Sequence, residues 1–375
     1  MCGYQGWFNA EGDGMDRGFR HWLKGAGGFV PGNAKFDLWP DVSELAPEER
    51  AATGFKLRDG RVAEVFSSAR LETVVRHFQW MREYGIDGAF VQRFAAEHRD
   101  AKALRQQNTV LGHCREGANR HGRLFAVMYD LSGLGAARMN EVMDDWRKLR
   151  TEMKIPTDGR YLRHRGKPLV AVWGVGFNDK RAYTLAECRQ LVEFLKADGC
   201  SVMLGVPAYW RTLKGDAAND PDLHTLLAQV DVISPWTVGR FGTPEEAAHY
   251  GEKTLRPDIE WCAEHQVDFL PVLFPGFSWH NMHGGKLDQV PRRQGAFFWS
   301  QFQAAKRAGA NMAYVAMFDE VDEGTAIFKC TNDVPEGGDS QFATYEGQAS
   351  DRYLRLTGAG AKMIRGELPV DAALP

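Results

Sequence analysis

Residues 88–130 read GAFVQRFAAEHRDAKALRQQNTVLGHCREGANRHGRLFAVMYD. Two short apolar runs, Gly88 to Phe94 and Leu124 to Asp130, flank a longer stretch of helical period, Asp100 to Asn119. Gly122 follows that stretch where a left-handed cap is needed. A strand, a crossover helix and a second strand make one parallel unit, because parallel neighbours cannot be joined by a tight turn.

The same alternation extends in both directions. Six further strand candidates are Cys2 to Phe8, Leu169 to Trp173, Ser201 to Val206, Val232 to Trp236, Phe269 to Phe274 and Met312 to Phe318. Between them the pattern predicts helices over Ala69 to Tyr84, Ala136 to Met153, Leu185 to Asp198, Pro221 to Gln229, Pro244 to Glu264 and Arg292 to Ala308. In the first of these, Leu71, Val74, Val75, Phe78 and Met81 recur at three- and four-residue intervals and form one apolar stripe. Gly85 and Gly309 stand at helix ends, and Thr184 and Thr243 at helix starts, as caps require.

Eight strands with intervening helices favour a closed (β/α)8 TIM barrel of the α/β class over a doubly wound sheet, and no GxGxxG follows the first strand. No stretch has the composition of a linker, so residues 1–375 are expected to form a single catalytic domain. The Gly- and Pro-rich segment from Asn9 to Ser68, which contains Asp37-Leu38-Trp39-Pro40-Asp41, is expected as an elaborated loop at the strand C-terminal face.

Composition narrows the partners. A net charge of -3 offers no broad basic surface for nucleic acid. No apolar run approaches the length of a membrane span, and the first residues lack the pattern of a signal peptide, so a soluble chain is expected. Its compartment stays open, periplasmic or extracellular if further residues precede Met1. Six scattered cysteines without CxxC spacing suggest neither a zinc site nor a disulfide framework, and no metal or cofactor is expected.

In such a barrel the active site forms where strands end at their C-terminal side. Here those ends carry Tyr4, Gln5 and Trp7; Gln92 and Arg93; Tyr129 and Asp130; Trp173; Tyr209, Trp210 and Arg211; Trp236; and Trp279 with His280. Five of the 11 tryptophans thus fall on one rim. The carbon-bound face of a sugar ring packs on an aromatic plane while its hydroxyls need polar partners, so this mixture points to a glycan groove. The expected substrate-binding set is Tyr4, Gln5, Trp7, Gln92, Arg93, Tyr129, Asp130, Trp173, Tyr209, Trp236, Trp279 and His280. Trp22, Trp39, Trp80, Trp146, Trp261 and Trp299 are expected to pack, unless the Asp37 loop folds over the pocket.

After the eighth strand candidate come Asp319, Glu320, Asp322 and Glu323, four carboxylates within five residues. Repulsion at close range raises at least one pKa and keeps one group protonated while another is ionised. Glycosidic cleavage needs that division of labour, which makes Glu320 and Glu323 the catalytic candidates. A helical turn would bring their Cβ atoms to about 5 to 6 Å, whereas extended backbone would hold them roughly 10 Å apart. A calcium site in the same acidic loop is a competing reading.

The opening Gly3-Tyr4-Gln5-Gly6-Trp7-Phe8, the Asp37 to Asp41 segment and Phe318-Asp319-Glu320-Val321-Asp322-Glu323-Gly324-Thr325 resemble bacterial glycoside hydrolase family 71/99-like proteins, relatives of the family 99 endo-α-mannosidases and endo-α-mannanases. That family carries a Phe-Asn-Glu-Trp-His-Glu-Gly-Thr type motif, matched here at Glu320, Glu323, Gly324 and Thr325 but not at Asp319, Val321 and Asp322. The resemblance implies a retaining hydrolase of α-linked, mannoside-type oligo- or polysaccharides. It implies Glu323 as general acid/base and Glu320 as base towards the sugar 2-hydroxyl. Alternatives are a xylosidase or arabinosidase specificity, a carbohydrate-binding barrel without catalysis, and metal-dependent hydrolysis through Asp319, Asp322, His280 and His283.

Overall fold

Eight parallel strand positions follow one another around a barrel in the computed structural model, which describes all 375 residues. They are Cys2–Tyr4, Gly88–Phe94, Leu124–Asp130, Lys167–Trp173, Ser201–Pro207, Val232–Trp236, a seventh in two pieces (Asp268–Phe269 and Val272–Leu273), and Tyr314–Val315. The first strand pairs with both the second and the eighth. Asp268–Phe269 pairs with the sixth strand and Val272–Leu273 with the eighth, so the segment 268–273 joins the two ends of the curled sheet. Its ladder breaks at Leu270–Pro271, where proline has no N–H to donate. The Thr237 hydroxyl closes the gap by donating to the Val272 carbonyl at 2.7 Å.

The first and eighth strands are shorter than their apolar runs. Beyond Tyr4 the N–H groups of Gln5 and Gly6 leave the ladder and donate to the Asp319 carboxylate, with Gly6 at φ 61° in the left-handed region. After Val315 the chain turns inward, and the Met317 N–H donates to the Thr325 carbonyl.

Helices cover Leu71–Glu83, Ala101–His121, Met139–Thr151, Leu185–Ala197, Asp222–Leu227 and Ala296–Ala308, with a continuous helical run over 244–264 that passes through a wider turn at Gly251–Leu255. Asp100 caps the second through the N–H groups of Lys102 and Ala103, and Thr184 and Glu187 form a reciprocal capping box. Gly122 and Gly309 end their helices in the left-handed conformation. None of these helices is long and apolar enough to cross a membrane.

Beyond the short strand Arg163–His164 and the single helical turn His280–His283, two larger elements have no counterpart among the expected ones. Arg50–Lys56 and Val62–Phe66 form an antiparallel hairpin inside the long first loop. Arg352–Arg365 is a helix that packs with Gly358 against the Tyr84 carbonyl and Gly360 against the Phe302 ring, sites too close for a Cβ.

One core of 102 buried residues runs through barrel and loop. Trp22, Phe29, Phe36, Trp39 and Phe55 from the loop cluster with Phe342, so the loop has an aromatic core of its own. At the N-terminal end of the barrel His164 bridges two strands, its Nδ1 at 2.7 Å from the Ser201 hydroxyl and its Nε2 at 2.7 Å from Asp268.

Candidate active site

At the C-terminal mouth a cavity of about 600 Å³ is lined by residues from most of the strand ends. Strand periodicity decides which side chains reach it. Phe94, Asp130 and Trp173 are register partners on three adjacent strands and all point in. The next partner of Trp173 is Gly205, where a Cβ would sit 2.5 Å from the indole, so the glycine makes room for the ring.

The same alternation turns three expected residues outward. Tyr4 is buried against the helices, with its hydroxyl 2.9 Å from His77 Nδ1. Arg93 and Tyr129, also register partners, meet Asp145 on the helix 139–151: Arg93 Nε donates at 2.9 Å and the Tyr129 hydroxyl at 2.7 Å. These three belong to the layer between sheet and helices and do not line the cavity. Tyr209 packs beside Tyr250 and Gly215, and Trp210 is buried against Trp261. His280 is occupied by its loop, its backbone N–H donating to Asp37 at 2.7 Å and its ring Nδ1 lying 2.7 Å from the Gly285 carbonyl.

Gln5, Trp7, Gln92, Asp130, Trp173, Trp236, Trp279, Glu320 and Glu323 do share the cavity. Trp173 and Trp236 meet edge to face at 5.5 Å, and Trp7 stacks on Phe94 at 5.0 Å. Trp279, 37% exposed, stands at the rim. Asp37 holds this rim by accepting from the N–H groups of both His280 and Asn281, so the first loop supports the cavity wall.

Residues absent from the expected set also line the cavity, among them Phe94, Phe177, Arg181, Arg240, Phe277 and Gln289. Arg181 lies over the rings of Trp173 and Phe177 at 5.2 and 5.0 Å and is held by Asp179 and the Tyr183 hydroxyl. Phe94 was legible, because an inward Gln92 implies an inward Phe94 two residues on. Arg181 and Arg240 sit on loops beyond their strands, where no periodicity applies.

The segment 319–325 is neither a helix nor a strand. Turns over 321–324 fold it back, so the N–H groups of Thr325 and Ala326 both donate to the Glu320 carbonyl, at 3.1 and 3.0 Å. Gly324 adopts φ 65° with the Ser278 backbone 3.0 Å from where a Cβ would lie. Arg292 locks the turn from behind through the carbonyls of Gly324 and Ala326.

Each carboxylate has different surroundings. Asp319 points away from the cavity to accept the N–H groups of Gln5 and Gly6 at 2.7 and 2.9 Å, and burial pushes its pKa up to about 7. Glu320 accepts from the Gln5 amide and, at 2.7 Å, from the Thr325 hydroxyl. Burial raises its pKa well above the carboxylate range, and the neighbouring Glu323 raises it further. Burial, followed by the Asp322 charge, raises Glu323, against a downward pull from the Trp279 indole and Lys35. Asp322 faces the first loop, 3.4 Å from His21 Nδ1 and 3.9 Å from Lys35 Nζ. Asp319 and Asp322 thus turn to different partners, while Glu320 and Glu323 remain together in the cavity.

Several cavity polar atoms have no partner in the protein: Gln5 Oε1, Trp7 Nε1, Gln92 Oε1 and Trp173 Nε1. A ligand or water in the cavity is what could satisfy them. A second cavity, about 360 Å³, lies at the opposite end among Phe90, Leu162, Met203 and Val315, with 14 hydrophobic residues among its 20. It has no convergent carboxylate pair and does not suit the same chemistry.

No protein-family model matches the chain, and no curated protein sequence does. Solved structures do. A glycoside hydrolase family 99 endo-α-mannosidase from Bacteroides thetaiotaomicron superposes with a TM-score of 0.67 at 17% identity, covering 99% of this chain and 98% of that one. The complex of an enzyme of the same description with bis-tris-propane gives a TM-score of 0.69 at 15% identity, covering 97% of each. A glycoside hydrolase-like protein gives 0.59 at 13% identity, covering 91% of this chain and 98% of that one. At these identities it is the backbone that is shared: from end to end, this chain has the (β/α)8 fold of the family 99 endo-α-mannosidases.

Proposed function

We propose that this protein is a retaining glycoside hydrolase acting on α-linked, mannoside-type glycans, with Glu320 and Glu323 as the catalytic pair. The observation that carries the proposal is the burial of two electrostatically linked glutamates in a cavity also lined by Trp7, Trp173, Trp236 and Trp279. The cavity's unpartnered amide and indole atoms suit sugar hydroxyls. The fold shared with family 99 supports the same assignment.

Burial raises both glutamates and the Glu323 charge raises Glu320 further, so the pair holds one proton between them near neutral pH. Burial disfavours the charge on Glu320 the more strongly, yet both its oxygens face donors, the Gln5 amide and the Thr325 hydroxyl. Of the two raised groups, Glu323 holds the proton at the start of the reaction, and the Gln5 amide and Thr325 hydroxyl are placed to support the Glu320 carboxylate.

That distribution fits a two-step reaction. Glu320 takes the proton of the sugar 2-hydroxyl, whose oxygen attacks the anomeric carbon; the glycosidic bond breaks and its oxygen takes the Glu323 proton. Water then attacks the anomeric carbon and gives its proton to Glu323, while Glu320 returns its proton to the 2-oxygen as the strained ring opens. Two inversions give net retention, and both carboxyls recover their starting states.

The test is hydrolysis of α-mannan oligosaccharides by the wild type, Glu320→Gln and Glu323→Gln, with the first product's anomeric configuration followed by NMR. Turnover with retention, lost in both variants, is expected. Glycan binding without turnover would support a carbohydrate-binding barrel, and cleavage only of xylosides or arabinosides would replace the sugar assignment.

A further inference from the structure

Beside the cavity the first loop walls a second groove, about 430 Å³ in volume. Four cations line it, Arg17, Arg20, Lys24 and Lys35, against one carboxylate, Glu11. The positive charge is only partly cancelled from behind. Arg17 and Arg20 both pair with Glu97, at 3.5 and 3.2 Å, with Asp100 acting on both from farther off, and the Arg17 side chain is only 8% exposed. Lys35 reaches Asp322 no closer than 3.9 Å, and Lys24 is exposed. Two guanidiniums paired directly with one carboxylate leave donors free for a second anion.

The groove and the cavity meet at Trp7. Its indole lies between Phe94, on the cavity side, and His21, on the groove side, stacked at 5.0 and 4.0 Å. His21 is held there at φ 66°, a conformation that costs energy for a residue with a side chain. Arg17 also borders a narrow crevice shared with Gln5, Trp7, Gln92 and Phe94, so a cation of the groove touches the cavity lining. At the other side Lys35 is near enough to Glu323 to affect its ionisation.

We propose that this groove binds an anionic substituent, an ester sulfate or a uronate carboxylate, on the glycan held in the cavity. The proposal rests on the cavity being a glycan site. A neutral glycan would make no use of the exposed Arg20 and Lys24, whereas a sulfate or carboxylate can accept from them, the guanidinium offering its donors in pairs. Generic polyanion attraction would not need the groove's continuity with the tryptophan-lined cavity.

The experiment is calorimetric titration of the full chain carrying Glu323→Gln, to prevent turnover, with α-mannan, chemically sulfated α-mannan, α-mannan oxidised to uronate at C6, and dextran sulfate. About tenfold tighter binding of a charged mannan than of the neutral one is expected, with the preference reduced to near parity in the Arg20→Ala, Lys24→Ala double variant. Whichever charged mannan shows the gain identifies the substituent. Equal binding of neutral and charged mannans, a preference that survives the double substitution, or dextran sulfate binding as tightly as sulfated mannan would each overturn the anion site while leaving the glycan site standing. Failure of every mannan to bind would instead remove the glycan reading beneath it.

Discussion

The two ends of the barrel hold different chemistry. At the N-terminal end His164 uses both ring nitrogens, on Ser201 and Asp268, and the adjacent cavity is mainly apolar. At the C-terminal end carboxylates crowd together and amide and indole atoms stand without partners. What separates the ends is the pair of buried glutamates and the tryptophan rim, which only the C-terminal end has.

The contrast breaks most visibly if the glutamates can be replaced without effect. Glu320→Gln and Glu323→Gln should each lower kcat by about 10²- to 10⁴-fold while the melting temperature holds or rises, because a buried, repelling charge is removed. Turnover and thermal unfolding measured on the same preparations check both halves.

Between the two ends, the layer of outward residues should behave as structure. Arg93→Leu leaves Asp145 buried without its cation and should cost about 3–5 kcal/mol in denaturant unfolding, with activity per folded molecule retained. A selective loss of substrate affinity at unchanged stability would return Arg93 to the site. At the floor, His164→Ala should cost about 1 kcal/mol, mainly through the buried Ser201 hydroxyl since Asp268 keeps Arg165, and leave kcat unchanged. At the mouth, Trp173→Ala should raise KM about tenfold with a smaller effect on stability.

A subtler difference lies in pH. Asp319 has a folded pKa raised to about 7, above the ordinary value near 3.9. Its contribution to stability is therefore full below about pH 4 and is lost as pH rises through 7, since the unfolded chain releases that proton first. Asp319→Asn should flatten this part of a melting-temperature profile; an unchanged slope would place the proton elsewhere.

Much of the architecture was legible in residues 88–130 and their repeats along the chain, because strand and helix periods are local properties. The C-terminal helix was not. Gly358 and Gly360 lower its intrinsic propensity, and the reason for them, close approach to Tyr84 and Phe302, lies far away in sequence. The loop hairpin Arg50–Lys56 and Val62–Phe66 was obscured in the same way by the Gly- and Pro-rich composition around it.

Site residues divide along a similar line. Trp173, Trp236 and the glutamate segment followed from their positions at strand ends. Tyr4, Arg93 and Tyr129 stand at such ends too, but on the outward phase of the pleat, which each inward neighbour indicates: Gln5, Gln92 and Asp130. Arg181 and Arg240 needed the folded loops.

The sequence alone determined the alternation of strands and helices, the strand ends from which the cavity is built and the acidic run that enters it, since each depends on residues a few positions apart. Only the tertiary structure decided that Asp319 supports the first strand, that Asp322 turns to His21 and Lys35, and that Glu320 and Glu323 remain in the cavity. Those choices depend on burial and on partners up to some three hundred residues away, which set the energy of a carboxylate but leave no mark on its neighbours in the chain.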